Sequence, residues 1–366
     1  MQPSEPVQPS AVVLSAVEAT LAEFLGRQRA ELSGMEPRLA ATVDRIAEFL
    51  SGGKRIRPGF CWWGWRAGGG RAEVQDCAPV VRVATALELI QACALLHDDL
   101  IDRSETRRGR PSVHRAEAKA HADAGWSGDP EHHGASTALL MGDLALAWAD
   151  DLFVTGAGQL RALERAQPVW HAMRTEVLAG QLLDVITTAD PQSDPLAQRD
   201  DALSVIRLKT AGYTVTGPLL LGAALAGAGS QLVERLRRYG QAVGTAFQLR
   251  DDLLGVFGDP SMTGKSAGDD LREGKRTVLL ALARADLAGR SSSAALAELD
   301  ALSGTAATAA EIDRVREILA RTTASAQLEQ QIDELVGTGI QALAGLAPDV
   351  TDALRLLAVG AGTRER

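Results

Sequence analysis

The chain has 366 residues, is 46% hydrophobic and carries a formal charge of −9. Binding a polyanion normally shows as a basic balance, so this charge argues against a nucleic-acid partner. Three cysteines, Cys61, Cys77 and Cys93, are too few and too widely spaced for a zinc site or a disulfide framework, and an odd count suits a reducing, cytoplasmic setting. Abundant Ala and Leu with only two Tyr favour helix, and strand-type alternation is absent, so an all-α chain is expected. No proline- or glycine-rich linker divides it. One domain over residues 11–359 is expected, with a disordered tail at 1–10 and a polar tail at 360–366. The start, Met1 to Pro6, has no basic region followed by an apolar one, and no apolar run reaches membrane-spanning length; neither a signal peptide nor a transmembrane segment is expected.

Helical periodicity runs from Ala11 to Leu50, with Val13, Val17, Leu21, Phe24 and Leu25 recurring on one face. After Ser51-Gly52-Gly53, a basic and aromatic stretch to Trp65 leads into a glycine turn at Gly68 to Gly70. The apolar run Ala84 to Leu96 predicts a core helix that ends in acidic residues. Residues 122–134 read as a surface loop, Ser136 to Phe153 and Val169 to Thr188 as helices, and Asp190 to Asp200 as a polar loop. Ala202 to Ala228 reads as a helix kinked near Gly217-Pro218, just after Lys209-Thr210. A helix from Gln231 to about Phe257 should stop at Gly258-Asp259-Pro260, and Ala-rich helices complete the chain.

Two acidic segments stand out, His97-Asp98-Asp99-Leu100-Ile101-Asp102 and Gln248-Leu249-Arg250-Asp251-Asp252. In a helix Asp98 and Asp102 lie one turn apart on one face, so both carboxylates can reach a single hard cation that keeps several waters. A solvated acidic face is the bland reading of such a run. The apolar stretches that precede both segments make that reading fit poorly, because carboxylates at a buried helix face need a compensating charge. Basic residues occur where phosphate ligands would need them: Lys54 and Arg57 follow a glycine pair, and Arg107-Arg108-Gly109-Arg110 follows the first acidic segment. Thr263-Gly264-Lys265-Ser266 mimics the end of a nucleotide-binding loop, but five residues separate Gly258 from the Gly-Lys pair where four are required, and the preceding segment is helical. His97-Asp98 lacks the further histidines that a hydrolase metal site would use, so His97 is expected to be a packing or supporting residue.

Taken in order, Gly52 to Pro58, Asp98 to Asp102 with Arg107-Arg108-Gly109, Lys209-Thr210, and Phe247 to Asp252 with Lys265 and Lys275 resemble the trans-isoprenyl diphosphate synthases, or polyprenyl synthetases. The match runs from about Leu25 to about Ile340. The resemblance implies an all-α, single-domain antiparallel helix bundle of the isoprenoid synthase type around a deep central cavity, usually as a homodimer. It implies magnesium-dependent head-to-tail condensation of isopentenyl diphosphate with an allylic diphosphate. By resemblance, Asp98 and Asp102, with Asp99 supporting, hold two magnesium ions on the allylic diphosphate, and Asp251, beside Asp252, binds a third. Arg107, Lys209, Lys265 and Lys275 contact the allylic diphosphate; Lys54, Arg57 and Arg108 hold isopentenyl diphosphate, with Gln91 as a neutral donor. Thr210 and Gln248 offer oxygen dipoles near the allylic cation, and the departing diphosphate takes the final proton. The chain departs from the family at Gly255, where many relatives have a third aspartate.

Product length is expected to follow the side chains behind the first acidic motif. Cys93 and Ala94 lie about one turn before Asp98 and are small, with Ile90 about 5 Å deeper. Farnesyl-producing relatives commonly place an aromatic near those positions, and many bacterial ones carry a two-residue insertion in the motif. This chain has neither, which points to geranylgeranyl diphosphate or longer, with Met141 as another residue able to form the floor. A terpene cyclase would not need Lys54, Arg57 and Arg108, and head-to-head squalene-type synthases lack the Gly-Gly-Lys and Arg-Arg-Gly elements in this arrangement. The remaining competitor is a longer-chain synthase or a non-catalytic partner subunit on the same fold.

Overall fold

A computed structural model describes residues 11–71, 77–190, 194–258, 269–272, 274–305 and 308–363. The described residues are almost entirely helical; their only strands are Thr106–Arg107 (β1) and Arg110–Pro111 (β2), an antiparallel pair. The chain divides into two compact units, one of Met1–Arg174, Gly217–Arg237 and Gly345–Ala353, the other of Thr175–Thr216, Arg238–Ala344 and Leu354–Arg366.

The first unit contains α1 (Ala11–Met35), α2 (Ala40–Leu50), α3 (Ile56–Ala67), α4 (Ala78–Ile101), α5 (Val113–Asp123), α6 (Pro130–Gln159), the start of α7 (Leu163–Ala189), and α9 (Gly217–Ala226). Its centre is the packing of α4 on α6. On α6 the residues Ala138, Gly142, Ala145 and Ala149 recur every three or four positions, Gly156 follows two turns later, and all are buried, a small-residue stripe that lets α4 approach closely. A Cβ at Gly156 would come 2.6 Å from the Pro79 carbonyl, so that position admits only glycine without a shift. The α3–α9 contact is built the same way: a Cβ at Gly64 would meet the Leu219 carbonyl at 2.0 Å, and one at Gly222 the Cys61 carbonyl at 1.9 Å.

α4 corrects the expectation that no apolar run reaches membrane-spanning length. It is long and apolar enough to cross a membrane by length and composition, although most of it is buried inside the protein. Val83, Leu87, Leu89, Ile90 and Leu96 are all buried on it. Each contributes about 1.5–3 kcal/mol by leaving water, which outweighs the ~0.3–1 kcal/mol cost of an acidic side chain at a helix C-terminus. That surplus allows the helix to end in Asp98-Asp99-Leu100-Ile101-Asp102.

A second correction concerns residues 130–134, expected in a loop and found in α6. Asp129 accepts from the Glu131 backbone N–H as N-cap, and Pro130 takes the first helical position, where its missing N–H costs nothing. Gly134 serves packing and not a turn: a Cβ there would meet the His114 carbonyl at 2.1 Å.

The second unit contains the rest of α7, α8 (Pro195–Val205), a wide-turn π-helical stretch Ile206–Thr216, most of α10 (Ser230–Phe257), a turn Asp269–Arg272, and α11 (Val278–Gly289), α12 (Ser293–Leu302), α13 (Ala309–Ala320) and α14 (Ala324–Ala342). Leu249, Leu253, Leu279, Leu280, Val315, Leu328 and Ile332 form its core. The expected kink near Pro218 takes the form of the π-helical stretch. Pro218 has no N–H and its ring crowds the carbonyl four residues back, so the regular ladder cannot run through Thr214, and the turns before the proline widen. Helix α15 (Pro348–Thr363) runs past Gly360, where the polar tail was expected to start. The expected tail at residues 1–10 lies outside the described residues.

Candidate active site

In the first unit the C-terminal end of α4 carries Asp98, Asp99 and Asp102. Asp98 and Asp102 are half-buried on consecutive turns, and the Asp102 N–H donates to the Asp98 carbonyl at 2.8 Å. Two carboxylates at the negative end of a helix dipole, with no basic residue in that last turn, form a natural cation site. Asp99 sits about 100° round the helix and is 1% exposed. Its Oδ1 accepts from Arg107 Nε at 2.8 Å and from Arg107 Nη2, which also lies 3.5 Å from Asp98 Oδ2. Burial pushes the Asp99 carboxyl above its ordinary value, and Arg107 only partly offsets that shift. His97 turns to α6: its Nε2 is 3.2 Å from the Leu139 carbonyl, and its ring fills the space above Gly142, where a Cβ would fall 2.2 Å away. It is a packing residue.

β1 and β2 explain how adjacent arginines serve different places. Arg108 (φ 54°) and Gly109 (φ 73°) are the two central residues of a tight hairpin, the left-handed pair that such turns require. Arg107 stays on Asp99, while Arg108 turns to the glycine loop, donating from Nη1 to the Ser51 carbonyl at 3.3 Å and lying against Gly53. Burial, followed by repulsion from Arg55, lowers the Arg108 pKa; Arg107 and Arg57 push the same way. A group of cations facing one another in this way calls for an anion. Lys54 is exposed beside them and Arg57 is half-buried. Gln91 is half-buried on α4, one turn beyond Glu88.

Arg55 was passed over in the sequence. It adopts a left-handed backbone (φ 47°), is buried, and donates to Glu18 Oε1 at 2.6 Å, Glu88 Oε2 at 2.5 Å and the Leu50 carbonyl at 2.7 Å. Its guanidinium pins the glycine loop to α1 and α4.

In the second unit Lys209 and Thr210 lie on the π-helical stretch and are half-buried. Lys209 Nζ donates to Asp184 Oδ2 at 2.6 Å. The stretch is clasped by glycines: a Cβ at Gly180 would come 2.4 Å from the Lys209 backbone nitrogen, and one at Gly244 would meet the Ala211 Cα at 2.8 Å. Sequence reasoning passed over Asp184, the partner of Lys209, and Gln181, one turn before it on α7. Gln181 Nε2 is buried with no hydrogen-bond partner among the described residues. The available signal was two polar residues at i, i+3 after a glycine inside the otherwise apolar run Val177 to Val185.

On α10, Gln248 Nε2 donates to Asp252 Oδ1 at 2.8 Å; Asp252 is 2% exposed and Asp251 half-buried. Arg250, between them, is structural, donating to Glu329 Oε1 at 2.6 Å and to the Gly362 carbonyl at 2.5 Å. Gly255 is half-buried one turn beyond Asp251, and Lys275 is half-buried before α11. Lys265 lies outside the described residues.

Among the described residues no three His, Cys, Asp or Glu side chains converge as a complete metal cage. Asp98 and Asp102 fit a cation that takes one or two carboxylates and fills its shell with water and phosphate oxygens, which is the habit of magnesium.

The sequence profile of the polyprenyl synthetase family matches residues 37–320. The chain belongs to the polyprenyl synthetase family. Its activity is accordingly prenyl transfer, and its fold is the all-α fold of isoprenyl synthases. A geranylgeranyl diphosphate synthase of Mycobacterium tuberculosis is 32% identical over 323 residues, covering 87% of this chain and 81% of the relative. A geranylfarnesyl diphosphate synthase of Aeropyrum pernix is 31% identical over 250 residues, covering 66% and 71%. Among solved structures, a geranylgeranyl pyrophosphate synthase from Corynebacterium glutamicum, complexed with isoprenyl diphosphate and magnesium, superposes with a TM-score of 0.89 at 41% identity, covering 96% of this chain and 99% of that one.

Proposed function

We propose that this polyprenyl synthetase condenses isopentenyl diphosphate head-to-tail with dimethylallyl, geranyl or farnesyl diphosphate, giving geranylgeranyl diphosphate. The observation that carries the reading is the arginine hairpin, which sends Arg107 to the acidic end of α4 and Arg108 to the Gly52-Gly53 loop. Two neighbouring anion sites of this kind suit a reaction of two diphosphates.

Asp98 and Asp102 would hold magnesium on the allylic diphosphate, and Asp251 would contribute a further ligand. Bound magnesium supplies Lewis-acid neutralisation of the charge that builds on the leaving diphosphate. Arg107, Lys209, Lys265 and Lys275 bind that diphosphate through charge-assisted hydrogen bonds. Lys54, Arg57 and Arg108, with Gln91, hold isopentenyl diphosphate so that its double bond meets the allylic carbon. Thr210 and Gln248 direct oxygen dipoles at the allylic cation, and the departing diphosphate accepts the last proton. Asp184 fixes the Lys209 ammonium.

The small residues behind Asp98 support the product length. Ala94 is half-buried on the face of Asp98, whereas Cys93 turns aside, its Sγ 3.8 Å from His97 Nδ1. Ala94 therefore has the larger part in setting chain length. Residues 11–359 act as one synthase domain, a reading supported by a family match that spans parts of both compact units. The protein works in the cytoplasm as a homodimer. Apolar side chains exposed on α6 (Leu139, Leu140, Val154) and on α7 (Leu178, Leu182, Ile186) offer surface for a subunit contact. Purified protein should incorporate labelled isopentenyl diphosphate only when an allylic primer and magnesium are both present. Absence of incorporation with all three primers would favour a non-catalytic partner subunit.

A further inference from the structure

Arg55 stands among the cations of the glycine loop, yet its side chain is spent inside the protein: Arg55 is 6% and Glu88 5% exposed. The guanidinium donates from Nε to Glu18 Oε1 at 2.6 Å, from Nη1 to Glu88 Oε2 at 2.5 Å and from Nη2 to the Leu50 carbonyl at 2.7 Å. One planar fork thus joins α1 at Glu18, the last residue of α2 at Leu50, and α4 at Glu88. The loop it holds is otherwise easily deformed. Gly52 (φ 73°) and Gly53 (φ 101°) adopt left-handed backbone freely, whereas Arg55 (φ 47°) carries a Cβ and is kept in that conformation by its contacts. The residues assigned to isopentenyl diphosphate stand on or against this loop. Lys54 precedes Arg55, Arg57 follows it in the first turn of α3, and Arg108 Nη2 lies 3.5 Å from where a Cβ on Gly53 would stand. Glu18 lies on α1, ahead of the residues 37–320 that carry the family match, and its side chain is 50% exposed.

We propose that Glu18 is a positioning residue for the isopentenyl diphosphate pocket: through Arg55 it ties α1 to the glycine loop and so sets where Lys54, Arg57 and Arg108 stand. The inference rests on the prenyl-transfer reading above. Charge and position pull in opposite directions at Glu18, which makes the two separable. Arg55 with Glu18 and Glu88 carries a net negative charge beside a pocket for an anion, so loss of the Glu18 charge would, by electrostatics alone, favour a bound diphosphate. Loss of the contact instead loosens the loop, and the entropy of ordering it is then charged against isopentenyl diphosphate binding. Arg107 is held by Asp99 and not by the loop, so the allylic diphosphate is spared.

The test is steady-state kinetics of the full-length protein with geranyl diphosphate, isopentenyl diphosphate and saturating magnesium, comparing wild type with Glu18→Ala, Glu18→Gln and Glu23→Ala. Glu18→Ala should raise KM for isopentenyl diphosphate about fivefold and leave kcat and the KM for geranyl diphosphate within about twofold. Glu18→Gln keeps an acceptor oxygen for Arg55 Nε and should return KM to within about twofold of wild type. Glu23→Ala removes an exposed carboxylate from the same helix, where it pairs with Arg27, and should change nothing. Glu18 acts through Arg55, so adding Glu18→Ala to Arg55→Lys should change KM by less than about twofold. An unchanged or lowered KM for isopentenyl diphosphate in Glu18→Ala would overturn the proposal, as would an equal rise in KM for both substrates or a full Glu18→Ala effect in the Arg55→Lys background. Helical circular dichroism of Glu18→Ala should match wild type; its loss would make the role purely structural and overturn the proposal too. An inactive wild-type protein would refute the prenyl-transfer reading itself and is distinguishable from all of these.

Discussion

Asp184 and Lys209 show how much a single unflagged side chain can matter. Both side chains are about 15% exposed, at 16% for Lys209 and 15% for Asp184, so neither charge is well solvated on its own. Asp184→Ala should cost on the order of 2 kcal/mol in urea denaturation, less than the ~3–5 kcal/mol of a fully buried pair because solvent retains some access. It should also lower kcat/KM, since the Lys209 ammonium would lose the carboxylate contact that orients it. A second residue-scale expectation concerns the cysteines. Burial pushes the Cys61 and Cys93 thiols up to about 12, so iodoacetamide at pH 8 should leave both unmodified in the folded protein and alkylate them in urea, as read by intact mass. At this scale the sequence revealed the residues that break a pattern: Asp98 and Asp102 at the end of an apolar run, and Arg108 beside Gly109. Asp184 was hidden because its significance comes from Lys209, whose position is fixed by the fold and not by local spacing. Arg55 was overlooked for the opposite reason, standing among phosphate-type cations while its own fork is committed to Glu18, Glu88 and Leu50.

The elements of the second unit depend on close backbone approaches. Gly180→Ala would place a methyl 2.4 Å from the Lys209 backbone nitrogen, which forces α7 and the π-helical stretch apart. Such overpacking costs about 1–3 kcal/mol, and here it should also depress kcat by displacing Lys209 and Thr210. Gly26→Ala, with nothing within 4 Å, should leave activity unchanged and serves as control in the same thermal melt and assay. On α4, Ala94→Phe should move the product profile toward shorter prenols; an unchanged profile would show that the floor lies elsewhere. Among the elements, α4 and α10 were legible because their apolar periodicity is strong and their ends are marked. The start of α6 was not, since Gly, Pro and His residues normally read as loop; Asp129 capping, Pro130 at the first position and Gly134 packing on α5 only make sense once α5 is in place. The kink near Pro218 was legible in place but not in form, because proline signals that the ladder must break and says nothing of the wider turns that absorb the break.

Across the whole molecule, the all-α class followed from composition and the reaction from an ordered set of basic and acidic motifs, none of which would suffice alone. What the sequence could not supply was which side chain each buried aspartate holds, Arg107 on Asp99 and Gln248 on Asp252, because that depends on which side of a helix is buried. Chelation by excess EDTA should abolish turnover, and added magnesium should restore it fully, with helical circular dichroism unchanged throughout if the metal serves catalysis and not folding. The measurement that bears most directly on the account is a product assay: purified protein, magnesium, isopentenyl diphosphate and each of the dimethylallyl, geranyl and farnesyl primers, with dephosphorylated products sized by chromatography and mass. The account predicts geranylgeraniol as the main product from every accepted primer. Farnesol alone would contradict the assignment of chain length to the small residues behind Asp98, and failure to consume isopentenyl diphosphate with any primer would contradict prenyl transfer itself.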